Sequence, residues 1–111
     1  MSPPWAFREF KGRIVTTEYI LVELGNWLAS SGDRASFIKL NRQIQVDSKT
    51  LVMPAEPALY DSGVDIYACR PDKDWSLTDC ISFVVMRQFG LARALTADHH
   101  FQQAGFIAML L

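Results

Sequence analysis

The sequence has few cysteines, no long hydrophobic run and no marked excess of charge of either sign. Cys69 and Cys80 are the only cysteines among 111 residues, too few for the disulfide framework of a small secreted domain. Residues 1–13 mix Glu9 and basic residues with apolar ones, so we expect no secretion signal or membrane anchor there. These absences predict a cytoplasmic protein that does not contact a membrane.

The charge balance also restricts the kind of ligand. Eleven lysines and arginines face twelve acidic residues, for a net charge of −1, whereas a broad phosphate-binding surface needs clustered basic residues. Any contact with nucleic acid is therefore expected to be local. No glycine-rich phosphate loop occurs, so nucleotide binding of the P-loop or Rossmann kind has no support.

The residues that are present indicate one globular domain spanning 1–111. Half of them are apolar, and a chain of this length can close only one hydrophobic core. Hydrophobic spacing predicts strands at 14–17, 50–53, 94–97 and 107–111. It predicts helices from 18 to about 31 and at 34–45, 59–67 and 76–89, with a short one from 98. Alternating elements with uniformly apolar strands favour an α/β fold with a mostly parallel sheet covered on both faces.

Three acidic residues lie near predicted strand ends or helix starts: Glu23, Asp79 and Asp98. In a parallel sheet these ends share one edge, where open α/β sheets bind their ligands. Each acid also has a purely structural explanation. Asp79, three residues after Ser76, fits a capping box, Asp98 fits an N-cap, and Glu23 borders an apolar stripe from which it can extend to water.

Three segments together resemble the PIN domain of VapC-like toxins. They are Thr16-Thr17-Glu18-Tyr19-Ile20-Leu21-Val22-Glu23-Leu24, Asp74-Trp75-Ser76-Leu77-Thr78-Asp79-Cys80 and Leu95-Thr96-Ala97-Asp98-His99-His100-Phe101. The resemblance runs from about Gly12 to the carboxyl end. It implies a PIN-like three-layer sandwich, a metal-dependent endoribonuclease that hydrolyses RNA, and an antitoxin-like protein partner.

The resemblance also assigns roles to residues. Glu23, Asp79 and Asp98 would be three of four catalytic carboxylates that hold one or two Mg²⁺ or Mn²⁺ ions, with Ser76 and Thr96 in support. Carboxylates crowded into one site repel each other unless a hard cation neutralises them. Such an ion can activate a water and neutralise charge on the leaving oxygen of a phosphodiester.

The sequence departs from this family at its amino terminus. Family members begin with a central strand that ends in an aspartate, and no such segment precedes the position of Glu23. Residues 1–4, Met-Ser-Pro-Pro, cannot supply a central strand, because proline lacks the backbone donor. We therefore expect an incomplete domain without its first, central strand, whose unpaired neighbours favour a homo-oligomer.

Other residues and other functions receive less support. Arg70 and Lys73, in the loop before the Asp79 helix, are candidates for contact with an RNA phosphate, although solvated loop charges are common. His99 and His100 are expected to be exposed, and Trp75 to anchor its loop. The alternative function is a catalytically inactive remnant that acts as a protein-interaction module. A third reading, a small phosphoryl-transfer or receiver domain, lacks a matching lysine pattern.

Overall fold

A computed structural model of the chain describes residues 6–8 and 13–110. In this part of the chain, helices follow three of the five strands. The strands are β1 (Ala6–Arg8), β2 (Ile14–Thr17), β3 (Thr50–Met53), β4 (Arg93–Leu95) and β5 (Ile107–Ala108). The helices are α1 (Glu18–Ser30), α2 (Arg34–Val46), α3 (Pro57–Cys69), α4 (Leu77–Gln88) and α5 (His99–Gln103).

The five strands form one sheet in the order β3-β2-β1-β4-β5. β2 pairs parallel with β3, and β4 pairs parallel with β5, while β1 runs antiparallel to both β2 and β4. β2, β3, β4 and β5 therefore point in the same direction. The predicted α/β class with a mostly parallel sheet is confirmed.

The centre of the sheet differs from the expectation drawn from the sequence. β1 lies there, with Phe7 opposite both Val15 of β2 and Ala94 of β4, so the expectation that these neighbours lack a shared partner is wrong. The expectation of a homo-oligomer is therefore no longer supported by unpaired strands at the centre of the sheet. β1 ends at Arg8, opposite Ile14 and Arg93, the first residues of β2 and β4. It therefore ends at the edge away from the carboxyl ends of its neighbours. Residues 1–4, which entered the prediction, lie outside the described residues.

The helix boundaries follow from local capping. Thr17 caps α1 by accepting a hydrogen bond of 3.1 Å from the Ile20 N–H, and Asp98 caps α5. α1 ends shortly before Gly32 and α4 shortly before Gly90, and both glycines have the positive φ that commonly follows a helix. The predicted caps at Ser76 and Asp98 are confirmed.

Three predicted boundaries are shifted by local backbone geometry. α3 begins at Pro57, not at Leu59, because proline fits the first helical position, where its missing N–H is not needed. β4 stops at Leu95, since the Thr96 N–H turns back to the Ala94 carbonyl at 3.0 Å. β5 covers only Ile107–Ala108 of the predicted 107–111, and residue 111 lies outside the described residues.

α4 forms the middle of the core, with residues 79–86 all buried. It packs closely on α3 at Gly63, where an added β-carbon would lie 3.3 Å from both the Cα and the N of Ile81. Cys80 is fully buried. Because α3 and α4 meet almost at their backbones, the start of α4 is held firmly relative to the sheet.

Three aromatic residues, Trp75, Phe83 and Phe101, join the loop before α4 to α4 itself and to α5. The ring centroid of Phe83 lies 5.0 Å from that of Trp75 and 4.9 Å from that of Phe101, both in edge-to-face geometry. Trp75 is buried, and its indole N–H donates to the Gln103 side chain at 3.1 Å. The expectation that Trp75 anchors its loop is confirmed.

No helix of the described residues is both long and apolar enough to cross a bilayer.

Candidate metal centre

Asp79 is fixed at the first turn of α4 by a reciprocal capping box. Its backbone N–H donates to the Ser76 hydroxyl at 3.0 Å, and its carboxylate oxygen Oδ2 accepts from the Ser76 N–H at 3.1 Å. Asp79 is only 4% exposed. The capping explanation offered by the sequence is therefore correct, and it leaves the buried carboxylate in one fixed place.

Asp98 follows β4 at the carboxyl end of that strand. Its backbone N–H donates to the Thr96 hydroxyl at 3.0 Å, and its Oδ1 accepts from the His100 N–H at 2.9 Å. Thr96 is fully buried and Asp98 is 7% exposed. The N-cap role therefore holds for Asp98 as well, and Thr96 orients the residue from the strand side.

His100 brings the two carboxylates together. Its ring nitrogen Nδ1 lies 3.1 Å from Asp79 Oδ2 and 3.3 Å from Asp98 Oδ1, and its side chain is 17% exposed. The one potential metal-ligand cluster among the described residues consists of Asp79, Asp98 and His100, with donor atoms within 4.8 Å of one another. The expectation that both histidines are exposed is wrong for His100 and correct for His99, whose side chain is 66% exposed.

The crowding at this cluster is visible in the acidity of Asp79. Burial, which disfavours a charged group, raises the pKa of the Asp79 carboxyl above its ordinary value, and the negative charge of Asp98 acts in the same direction. Hydrogen bonds from the Ser76 backbone and from His100 oppose the rise in pKa. Two buried carboxylates and an imidazole are a donor set that fits a divalent cation.

Glu23 lies next to this cluster but is not part of it. It is half-buried on α1 and lines a cavity of about 400 Å³ together with Thr78, the residue before Asp79. Glu18 lines the same cavity, and its carboxylate accepts a hydrogen bond of 2.6 Å from the Ala55 N–H. The structure thus brings together two of the three predicted acids and leaves Glu23 on an adjoining wall.

The candidate RNA-contacting residues, Arg70 and Lys73, lie in the loop between α3 and α4. The Arg70 guanidinium forms a two-pronged ion pair with Asp72, at 3.0 Å from both Nε and Nη2, and lies 5.1 Å above the Trp75 ring. Lys73 is half-buried beside a cavity of about 640 Å³ that Arg70 also lines. With Arg70 held by Asp72, contact of these residues with RNA stays a prediction.

The geometry can be set beside that of proteins of known structure. No family model and no curated protein sequence matches this chain. A solved structure that matches is Mycobacterium tuberculosis VapC20, described as a sarcin–ricin loop cleaving toxin, with a TM-score of 0.75 and 22% sequence identity. The match covers 84% of this chain and 71% of the VapC20 chain. The chain has a VapC-like PIN fold.

The structure brings Asp79 and Asp98 together, as the rule for strand ends and helix starts predicted, while their metal-binding role stays a prediction. At 22% identity the likeness establishes the fold, so the roles of individual residues have to be argued from the contacts above. His100 is the residue that sequence reasoning missed. A signal was present, because the N-cap side chain of Asp98 accepts from the backbone of the residue two positions on, which places His100 beside it.

Proposed function

We propose that this protein is a divalent-metal-dependent endoribonuclease of the PIN/VapC toxin type, which hydrolyses RNA phosphodiesters in the cytoplasm. The observation that carries the proposal is the meeting of Asp79 and Asp98, from separate segments of a VapC-like PIN fold, beside a third metal-binding side chain. Two carboxylates buried so close together need a compensating positive charge, and a bound cation provides it.

The residues of the chain divide the work in this proposal. Asp79 and Asp98 hold Mg²⁺ or Mn²⁺, which when bound activates a water and stabilises charge on the phosphodiester. The Ser76 N–H holds the Asp79 carboxylate through a hydrogen bond of 3.1 Å, and the Thr96 hydroxyl fixes the backbone of Asp98 by accepting its N–H at 3.0 Å. Glu23 supplies a further carboxylate from the adjoining cavity wall.

Arg70 and Lys73 are assigned to the RNA backbone. Both border the same cavity beside the loop that leads into α4, and phosphate contacts of this kind position a nucleic acid without reading its sequence. The near-neutral net charge fits a short local contact of this type.

The test is RNA cleavage by the purified full chain, with hairpin RNAs that include a sarcin–ricin loop. Asp79→Asn keeps an oxygen that can accept the Ser76 N–H but removes the charge, and we expect it to reduce the cleavage rate at least about 100-fold. Asp61→Asn, an exposed acid on α3, is the matched control and should cleave normally. Cleavage that persists in excess chelator, or in Asp79→Asn at the control rate, would refute the proposal.

A second candidate function is that of an inactive PIN-type module that binds an antitoxin-like protein. It is favoured by an apolar cavity of about 930 Å³ between α1 and α2, where Val22 is 61% and Ile38 is 47% exposed. This reading predicts no cleavage with any divalent metal. It also predicts that Val22→Asp weakens binding to an antitoxin-like partner protein at least about tenfold, whereas the first function requires turnover.

A further inference from the structure

The donor atoms at the candidate metal centre are spaced like neighbouring ligands of one ion. His100 Nδ1 lies 3.1 Å from one carboxylate oxygen and 3.3 Å from the other. Protein ligands bind divalent transition metals at about 2.0–2.2 Å, which places adjacent ligand atoms about 3.0–3.5 Å apart in octahedral or tetrahedral shells. All three donor atoms lie within 4.8 Å of one another, so the two carboxylates would have to close in around Nδ1 to surround one cation.

Hydrogen bonding alone does not give both carboxylates a strong bond to His100. One imidazole nitrogen carries at most one proton, so Nδ1 can direct a strong hydrogen bond at either Asp79 or Asp98 but not at both. A cation placed among the three atoms would bind all of them at once. The 17% exposure of the His100 side chain leaves a route to solvent, while the Asp79 carboxylate is held by the Ser76 N–H and the Asp98 carboxylate by the His100 backbone N–H.

We propose that His100 Nδ1 is a ligand of the bound ion, together with Asp79 and Asp98, and that the site therefore prefers Mn²⁺ to Mg²⁺. This inference rests on the proposed function and extends it to the ligand set and the metal. Mg²⁺ selects oxygen ligands and retains its waters, whereas imidazole nitrogen suits transition-metal ions. Mn²⁺ accepts both carboxylate and imidazole and is a convenient probe, because it is paramagnetic.

The first measurement is metal affinity, on full-length protein freed of metal by chelator and dialysis. Calorimetric titration should show Mn²⁺ bound at least about tenfold more tightly than Mg²⁺. His100→Asn places an amide group near the position of Nδ1, whose oxygen can replace the nitrogen donor. We expect it to remove most of the Mn²⁺ preference while leaving Mg²⁺ affinity within about threefold. His99→Asn is the matched control. The His99 side chain is 66% exposed, and its Nδ1, at 3.9 Å from Asp98 Oδ1, lies farther from that oxygen than the 3.3 Å of His100. This variant should bind both ions like the wild type.

The second measurement reports the ligand itself. Pulsed electron paramagnetic resonance of bound Mn²⁺ should show coupling to an imidazole ¹⁴N in the wild type and in His99→Asn, and no such coupling in His100→Asn. Coupling that survives in His100→Asn, or equal Mn²⁺ and Mg²⁺ affinities in the wild type, would overturn the assignment.

Cleavage assays on the same samples separate this inference from the proposed function. RNA cleavage by a wild type that shows only oxygen coordination overturns the His100 assignment and leaves the nuclease intact. Nitrogen coupling with no cleavage under any metal overturns the nuclease and leaves His100 as a ligand.

Discussion

The hydroxyl of Thr96 accepts a 3.0 Å hydrogen bond from the backbone N–H of Asp98, and both residues are buried. Thr96→Val keeps the shape of the side chain but leaves that N–H without its acceptor. We expect the free energy of unfolding to fall by about 1–3 kcal/mol, measured by urea denaturation, and RNA cleavage to fall as Asp98 moves. Thr96→Ser retains the hydroxyl and should recover most of both losses. Equal stability of the valine and serine variants would contradict this role.

Asp79 should make the stability of the metal-free protein depend on pH. Its pKa is raised above the ordinary 3.8, mainly by burial, so the folded state binds this proton more tightly than the unfolded state does. The resulting stabilisation is complete below the unfolded pKa and is lost as pH rises through the folded pKa. Asp79→Asn imitates the neutral form. In chelator, its stability relative to the wild type should therefore increase as pH rises above 3.8, as followed by urea denaturation at successive pH values. A pH-independent difference would contradict the shift.

The contact between α3 and α4 predicts that Gly63 tolerates no side chain. A β-carbon there would clash with Ile81 Cγ1 and lie 3.3 Å from the Ile81 backbone. Gly63→Ala should therefore lower the free energy of unfolding by about 1–3 kcal/mol despite the better helix propensity of alanine. Asp65→Ala, at an exposed position of the same helix, serves as control and should change stability by less than about 0.5 kcal/mol. A stabilised Gly63→Ala variant would show that the helices can separate without cost.

At Ser82, in contrast to Gly63, a substitution is expected to stabilise the protein. Its hydroxyl oxygen is buried and has no hydrogen-bond partner within the part of the chain that the structure describes. Ser82→Ala removes an unsatisfied polar group from the core, and we expect the protein to gain about 1 kcal/mol in thermal or urea unfolding. Ser36→Ala, at an exposed position of α2, measures the part of that gain due to helix propensity alone. Gains of equal size in both variants would mean that the buried hydroxyl costs nothing.

The sequence predicted the elements whose signals are local. The caps at Thr17, Ser76 and Asp98 depend on residues two or three positions away in the chain, so they could be recognised without a structure. β1 could not. Its three residues are too few to show a periodic pattern, and its central place depends on pairing with Arg93–Leu95, which is far away in sequence.

The candidate metal centre could also be predicted only in part. Asp79 and Asp98 begin helices after strands or loops, and the rule that such positions converge at one sheet edge placed them together. His100 required more, because the direction of its ring depends on how α5 is seated. Glu23 was expected in the same cluster, and the structure places it on the adjoining cavity wall, since the orientation of α1 is set by packing that the sequence does not specify.

α5 has only five residues, too short to persist as a helix without support from the rest of the fold. Phe101 supplies that support, because it is fully buried and meets Phe83 edge to face at 4.9 Å. The distances from the His100 imidazole to the two carboxylates therefore depend on the contact between Phe83 and Phe101, the residue after His100. In a genetic screen, an inactivating substitution at Phe83 would be interpreted as a loss of stability. Such a change would also shift His100 relative to Asp79 and Asp98, and so disturb the candidate metal ligands.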